Sequence, residues 1–202
     1  MKRSILFTML VALVLCAVPP LIWAAKVGEA APEFTASASN GKTYRLSDYR
    51  GKYVVLEWHN NGCPYVGKHY NSGNMQRLQK QWTSRGVVWF TILSSAPGKQ
   101  GYVTGPGADD LTRTRGASPT AVLLDSAGTV GRLYHAKTTP HLFVIDRNGE
   151  LQYMGGIDSI ASVDVSDIGT AEPYLKEAMV AVVQGQSVAH PVTRPYGCSV
   201  KY

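Results

Sequence analysis

Residues 53–69 read YVVLEWHNNGCPYVGKH, and how they are read decides the fold. Tyr53 to Trp58 is a nearly continuous run of β-forming side chains bounded by Gly51 and by Asn60, Asn61 and Gly62, as expected of a strand buried on both faces. Cys63 then stands directly before Pro64, whose preset φ and missing N–H suit the first position of a helix. That spacing puts Cys63 at the helix cap, where unpaired amides and the helix dipole favour thiolate over thiol. Thiolate is the species that attacks disulfides and peroxides. The same residue can also be read as an inert buried cysteine.

Outward from this stretch, residues 64–85 form helix, but their apolar positions change phase. Val66 and Tyr70 share one face, whereas Met75, Leu78 and Trp82 share another, so a break is predicted at Asn71, Ser72 and Gly73. Residues 87–93 (VVWFTIL) make a second buried strand. Residues 94–119 are rich in Gly, Pro, Ser and Thr and read as a long loop with one short helix at 108–113; loops of that length are often functional. A strand at 120–125 and a short helix at 127–135 follow. Residues 141–146 and 150–154, joined by Arg147-Asn148-Gly149, form an antiparallel hairpin. A final helix at 171–184 stops at Gly185. Upstream, residues 34–48 carry the turn signal Asn40-Gly41 between two extended pieces, a hairpin signature.

The chain opens with Lys2 and Arg3, an apolar or small stretch from Ile5 to Val18, then Pro19-Pro20 and Ala24-Ala25. Residues 1–25 therefore read as a secretory signal peptide, too short and too proline-broken for a stable membrane span. The bulky Leu15 argues against lipidation at Cys16. Removing this segment leaves 18 basic against 14 acidic residues and lowers the net charge from +6 to +4. The basic residues are scattered, which excludes a nucleic-acid stripe. Residues 26–185 make one domain, and residues 186–202 (QSVAHPVTRPYGCSVKY) make a tail expected to run extended over the surface.

Cys63 and Cys198 are then the two cysteines left, in a periplasmic or extracellular setting where disulfides persist. A static bridge between them would restrain the unfolded chain by roughly 5 kcal/mol in the entropy model. The sequence leaves open whether such a bond is permanent or cycles.

The order of strand, turn, Cys-Pro at a helix start, strand, Thr-Pro, hairpin and last helix resembles the thioredoxin-like fold. The segments APEFTASASNGKTYRLSDYRGKYVVLEW (31–58), CPYV (63–66) and TTPHLFVIDRNGEL (138–151) resemble an exported, peroxiredoxin-like subgroup of the redoxins (AhpC/TSA type), as does the ending PYGCSVKY. The resemblance implies an α/β domain with a central mixed sheet flanked by helices, an N-terminal β-hairpin and an extended C-terminal tail. It also implies that Pro140 is the cis-proline facing the active cysteine and that Thr139 offers backbone groups to an extended substrate or tail. Glu57 takes the place of a buried acid, implying a proton acceptor beneath the sulfur with its pKa raised by burial; a carboxylate paired with Lys or Arg is the alternative.

Val66 stands where thioredoxin-type enzymes carry a second cysteine, so Cys63 has no local partner and Cys198 is the candidate resolving thiol. The implied function is an exported thiol-disulfide oxidoreductase with catalytic Cys63, Cys198 and Glu57 and substrate-binding Pro64, Thr139 and Pro140. Its partners are a protein disulfide or peroxide and a thiol electron donor. A thiol peroxidase with antioxidant activity and a non-catalytic copper- or protein-binding module are the alternatives. No cofactor is assigned. No metal ligand is assigned either, because Cys63 and His69 lie roughly 120° apart around a helix.

Overall fold

The structure is a computed structural model and describes residues 24–202. The signal peptide and Cys16 readings fall on residues 1–25, almost wholly outside the described residues.

Five strands form the central sheet in the order β5–β4–β3–β7–β8: β3 (Val54–Trp58), β4 (Val88–Leu93), β5 (Ala121–Leu124), β7 (His141–Ile145) and β8 (Leu151–Gly155). β3, β4 and β5 are parallel, and β7 and β8 run antiparallel to their neighbours, so the sheet is mixed. Every residue of β3, β4 and β7 is buried, which is why those segments read as continuous apolar runs with little alternation. The two faces build separate cores. Leu56, Trp58, Phe90 and Phe143 pack on one side with Tyr134 near α4 (Thr129–Leu133). Val55, Trp89 and Val144 pack on the other with α1 (Pro64–Asn71), α2 (Asn74–Thr83) and α5 (Tyr174–Val183).

The predicted break between α1 and α2 is present, with Gly73 at φ 70°, a left-handed conformation natural to glycine. The N-terminal hairpin is β1 (Thr35–Ser37) paired with β2 (Thr43–Arg45), and it is stitched to the sheet edge through Ala38 opposite Leu123. The helix expected at 108–113 is longer, α3 (Gly105–Thr114), because Pro106 suits its first turn. This is the thioredoxin-like architecture that the resemblance implied.

The tail departs from expectation. It is extended, and β9 (Cys198–Ser199) pairs antiparallel with β6 (Thr138–Thr139), but it does not simply lie on the surface. Tyr196 is buried, since both its ring and its hydroxyl find partners beneath the chain.

Two histidines are buried in neutral form. Desolvation lowers the His69 pKa to about 4 and that of His141, in β7, to about 3. The unfolded chain binds protons at these positions below about pH 6.5 while the folded chain refuses them, so stability falls as acid is added. Urea unfolding at about pH 4.5 should show a loss on the order of 2 kcal/mol per histidine relative to about pH 7. His141→Asn should flatten that dependence; an unfolding midpoint indifferent to pH would contradict the burial.

Candidate active site

β3 delivers the chain to a turn at its C-terminal end, and Asn60 shapes that turn. The Asn60 side-chain oxygen accepts the Gly62 N–H at 2.9 Å, and its backbone oxygen accepts the Cys63 N–H at 3.1 Å. Cys63 caps α1 in an extended conformation, with Pro64 in the first turn and the Gly67 N–H donating to the Cys63 carbonyl at 2.9 Å. The cap reading of the sequence is therefore the local geometry.

From the far side comes β6. The Thr139–Pro140 bond is cis, and the Thr139 carbonyl oxygen lies 3.1 Å from Cys63 Sγ. β9 pairs Cys198 directly with Thr139 and brings the Cys198 N–H to 3.4 Å from Cys63 Sγ. Five of the six residues singled out in the sequence thus meet at one point: Cys63, Pro64, Thr139, Pro140 and Cys198. Both cysteines are free thiols; Cys63 is buried and Cys198 partly so.

The two thiols are electrostatically unequal. Burial alone would raise the Cys63 pKa, but hydrogen bonds from the Cys198 thiol and from the backbone N–H groups of Val66 and Cys198 outweigh it, leaving Cys63 below an ordinary thiol. Cys198 is pushed up to about 11 by desolvation, by its hydrogen bond to Cys63 and by the charge that develops there. The pair shares its titration, with the first ionisation centred on Cys63 while Cys198 keeps its proton. Of the two sulfurs, Cys63 is the one whose ionisation its surroundings favour.

Glu57 corrects the sequence reading. Burial would raise its pKa, but the hydrogen bonds of His59, Trp89 and Tyr70 hold it below the usual carboxylate range. Its oxygens accept from Tyr70 Oη (2.8 Å), Trp89 Nε1 (2.8 Å), Gln79 Nε2 (3.0 Å) and Thr91 Oγ1 (3.3 Å), and His59 Nδ1 lies at 3.3 Å. None of these bonds runs to Cys63. Such an ionised carboxylate with its lone pairs occupied is a poor proton acceptor, and its partner is not the Lys or Arg of the alternative reading. Arg115 comes one step further out: it donates to His59 Nε2 at 3.1 Å, which fixes His59 as the Nδ1–H tautomer donating to Glu57.

Two residues of the long segment after β4 grip the cysteine turn, and neither was singled out from the sequence. Gln100 Nε2 donates to the Gly62 carbonyl at 2.9 Å while its own carbonyl accepts from Asn60 Nδ2 at 3.1 Å, and Arg115 Nη2 donates to the Asn61 carbonyl at 3.0 Å. Gly101, at φ +86°, approaches so closely that an added Cβ would fall 2.3 Å from Asn60 Oδ1. The length and composition of that segment were the only signal. Among the described residues no three His, Cys, Asp or Glu side chains gather as a metal would require, and both ring nitrogens of His59 and of His69 are already engaged by neighbours.

The comparisons with known proteins agree with this geometry. The chain is 29% identical over 129 residues to the thiol-disulfide oxidoreductase ResA of Geobacillus kaustophilus, an alignment covering 64% of this chain and 68% of that protein. An uncharacterized conserved protein from Geobacillus kaustophilus has the same fold, with a TM-score of 0.74 at 23% identity over 88% of this chain and 92% of that one. A hypothetical protein from Sinorhizobium meliloti 1021 matches equally well, with a TM-score of 0.74 at 21% identity over 89% and 96%. The model of the AhpC/TSA family matches residues 27–154, from the segment before β1 through the Cys63 turn and the cis-proline to β8, and the chain belongs to that family.

Proposed function

We propose that this protein is an exported thiol-disulfide oxidoreductase in which Cys63 attacks and Cys198 resolves. The observation that carries the reading is the pairing of β9 with β6, which brings the Cys198 amide to 3.4 Å from a Cys63 sulfur of lowered pKa. The Cys63 thiolate attacks one sulfur of a substrate disulfide; a mixed disulfide forms and the other substrate sulfur leaves as thiolate and takes a proton. Cys198, deprotonated in its turn, attacks the Cys63 sulfur, a Cys63–Cys198 bond forms, and the second substrate thiol is released. Two electrons have passed to the substrate, and a dithiol donor restores the protein.

Thr139 and the cis-Pro140 offer a backbone edge to an extended chain, the edge that the tail itself occupies. A groove of about 690 Å³ beside Tyr65, Thr138, Arg194 and Tyr196 provides room for the rest of a substrate segment. Export rests on the basic, apolar and small-residue order of residues 1–25. ResA of Geobacillus kaustophilus, named a thiol-disulfide oxidoreductase, supports the same chemistry. Glu57 serves by holding β3, α1 and α2 around the cysteine turn, in place of the proton transfer that the resemblance implied.

One observation favours peroxide as a second substrate. Cys63 is only 1% exposed and its neighbouring edge is filled by the tail, so a small oxidant reaches the sulfur more readily than a folded protein does. There the thiolate takes one peroxide oxygen as the O–O bond breaks, giving a sulfenic acid and a hydroxide that takes a proton to become water; the Cys198 sulfur then attacks the sulfenic sulfur, the disulfide forms and the hydroxyl leaves with the Cys198 proton as a second water. Insulin disulfide reduction with dithiothreitol and hydrogen peroxide consumption with the same donor separate the two. The reading requires insulin reduction above a Cys63→Ser control, and no excess over that control would overturn it.

A further inference from the structure

Next to the site, three polar side chains are buried around one carboxylate. Asp158, in the loop after β8, lies 3.4 Å from Lys68 Nζ and 3.7 Å from His69 Nε2, and it accepts the hydroxyl proton of Tyr196. His69 Nε2 lies 3.1 Å from the same hydroxyl, and His69 Nδ1 lies 3.0 Å from Asn74 Nδ2. One tautomer satisfies both ring nitrogens of His69 and the phenol: Nε2–H donates to Tyr196, Tyr196 donates to Asp158, and Nδ1 accepts from Asn74. Lys68 Nζ also donates to the Ile160 carbonyl at 3.0 Å and lies 5.7 Å from the centre of the Tyr196 ring. The relative exposures of Lys68, His69, Asp158 and Tyr196 are 2%, 0%, 5% and 8%.

A lysine and an aspartate removed from water are costly unless their remaining bonding capacity is filled. The tail supplies part of that filling through one phenol, and desolvation together with the Asp158 charge keeps the phenol protonated as a donor. The other partners belong to α1, the helix that Cys63 caps, and to the loop leaving β8. Tyr196 lies two residues before Cys198, and the intervening Gly197 passes so close to β6 that an added Cβ would fall 2.0 Å from the Thr139 carbonyl oxygen. The tail therefore has little freedom to slide: the phenol sits in the socket on one side of Gly197 and β9 begins on the other.

We propose that Tyr196 is a positioning residue, whose phenol seated on Asp158, His69 and Lys68 fixes Cys198 over Cys63. This deepens the function proposed above and rests on Cys198 being the resolving thiol. The anchor has opposite effects on the two half-steps. A substrate that takes the β6 edge must first displace the tail, so the anchor restrains the initial attack; once the mixed disulfide has formed, it draws Cys198 back and speeds resolution.

The test uses the reduced full-length protein and its Tyr196→Phe variant, with Tyr44→Phe as control because the Tyr44 hydroxyl, in β2 of the N-terminal hairpin, also takes part in a hydrogen bond, accepting from Asn40 Nδ2 at 3.0 Å. Hydrogen-deuterium exchange read on the C-terminal peptide should accelerate about tenfold in Tyr196→Phe, the loss expected for one hydrogen bond to a charged group, while β3 and β7 keep their protection. The lifetime of the mixed disulfide with insulin, trapped by acid quench and read by mass, should lengthen by a similar factor, with Tyr44→Phe unchanged in both. Unaltered tail exchange would overturn the proposal. So would an unaltered mixed-disulfide lifetime, or a loss of protection spread evenly over the sheet, which is the mark of a merely structural residue. If the unsubstituted protein forms no Cys63–Cys198 bond, the resolving role itself fails, a result separate from the tail exchange.

Discussion

Cys63→Ser should reduce disulfide turnover to the level of the donor thiol alone, a loss on the order of a thousandfold or more, because a serine hydroxyl at this cap has no accessible anionic form near neutral pH. The substitution is small and its surroundings accept it: the cap conformation, Pro64 and the bond from Gly67 to the residue 63 carbonyl do not involve the sulfur. A melting temperature close to the unsubstituted value should accompany the loss, and circular dichroism during heating checks it. Cys198→Ser should behave differently. Its first attack survives, but the mixed disulfide has no internal thiol to release it, so a covalent adduct of protein and substrate should accumulate and be visible by mass under non-reducing conditions. Equal activity in Cys63→Ser and the unsubstituted chain would leave the sulfur without a role.

Glu57→Ala should be the most damaging single change to stability, on the order of 3–5 kcal/mol, because it strands buried donors and removes the carboxylate on which the chain from Arg115 through His59 ends. Tyr70, Gln79, Trp89 and Thr91 all point at the lost carboxylate, and they come from α1, α2 and β4, so the damage is shared by three elements. For a domain of this size such a loss corresponds to roughly a 10 °C drop in melting temperature. Glu57→Gln keeps one acceptor oxygen and should fall between the two. A Glu57→Ala protein that melts like the unsubstituted one would show that the donors find other partners.

Much of this arrangement was legible in the sequence, for identifiable reasons. A strand buried on both faces leaves a continuous apolar run, Pro64 marks a helix start, and the phase change between Tyr70 and Met75 marks the break that Gly73 makes possible. The meeting of Cys63, Pro140 and Cys198 followed from the resemblance and not from spacing.

What escaped reading lies in contacts between distant segments. Burial of Glu57 could be inferred, and burial alone raises a carboxylate; the donors that reverse the direction lie 2 to 32 residues away in sequence and converge only through the sheet and the packing of α1 and α2 on it. Gln100 and Arg115 sit in a segment whose composition says only that it is irregular, yet they hold the turn before Cys63. Tyr196 looked like one residue of a proline-broken surface tail, because its socket is assembled from α1 and the loop after β8.

The Cys63 and Cys198 sulfurs should form a bond that opens and closes during function. Equilibration of the full protein across glutathione buffers of graded potential, followed by acid quench, alkylation and peptide mass mapping, tests it most directly. A single peptide pair joining Cys63 to Cys198 is expected, converting to two alkylated thiols within the range that glutathione spans. Separate glutathione adducts on each cysteine with no joined peptide, or a joined peptide that no buffer in the range reduces, would contradict it.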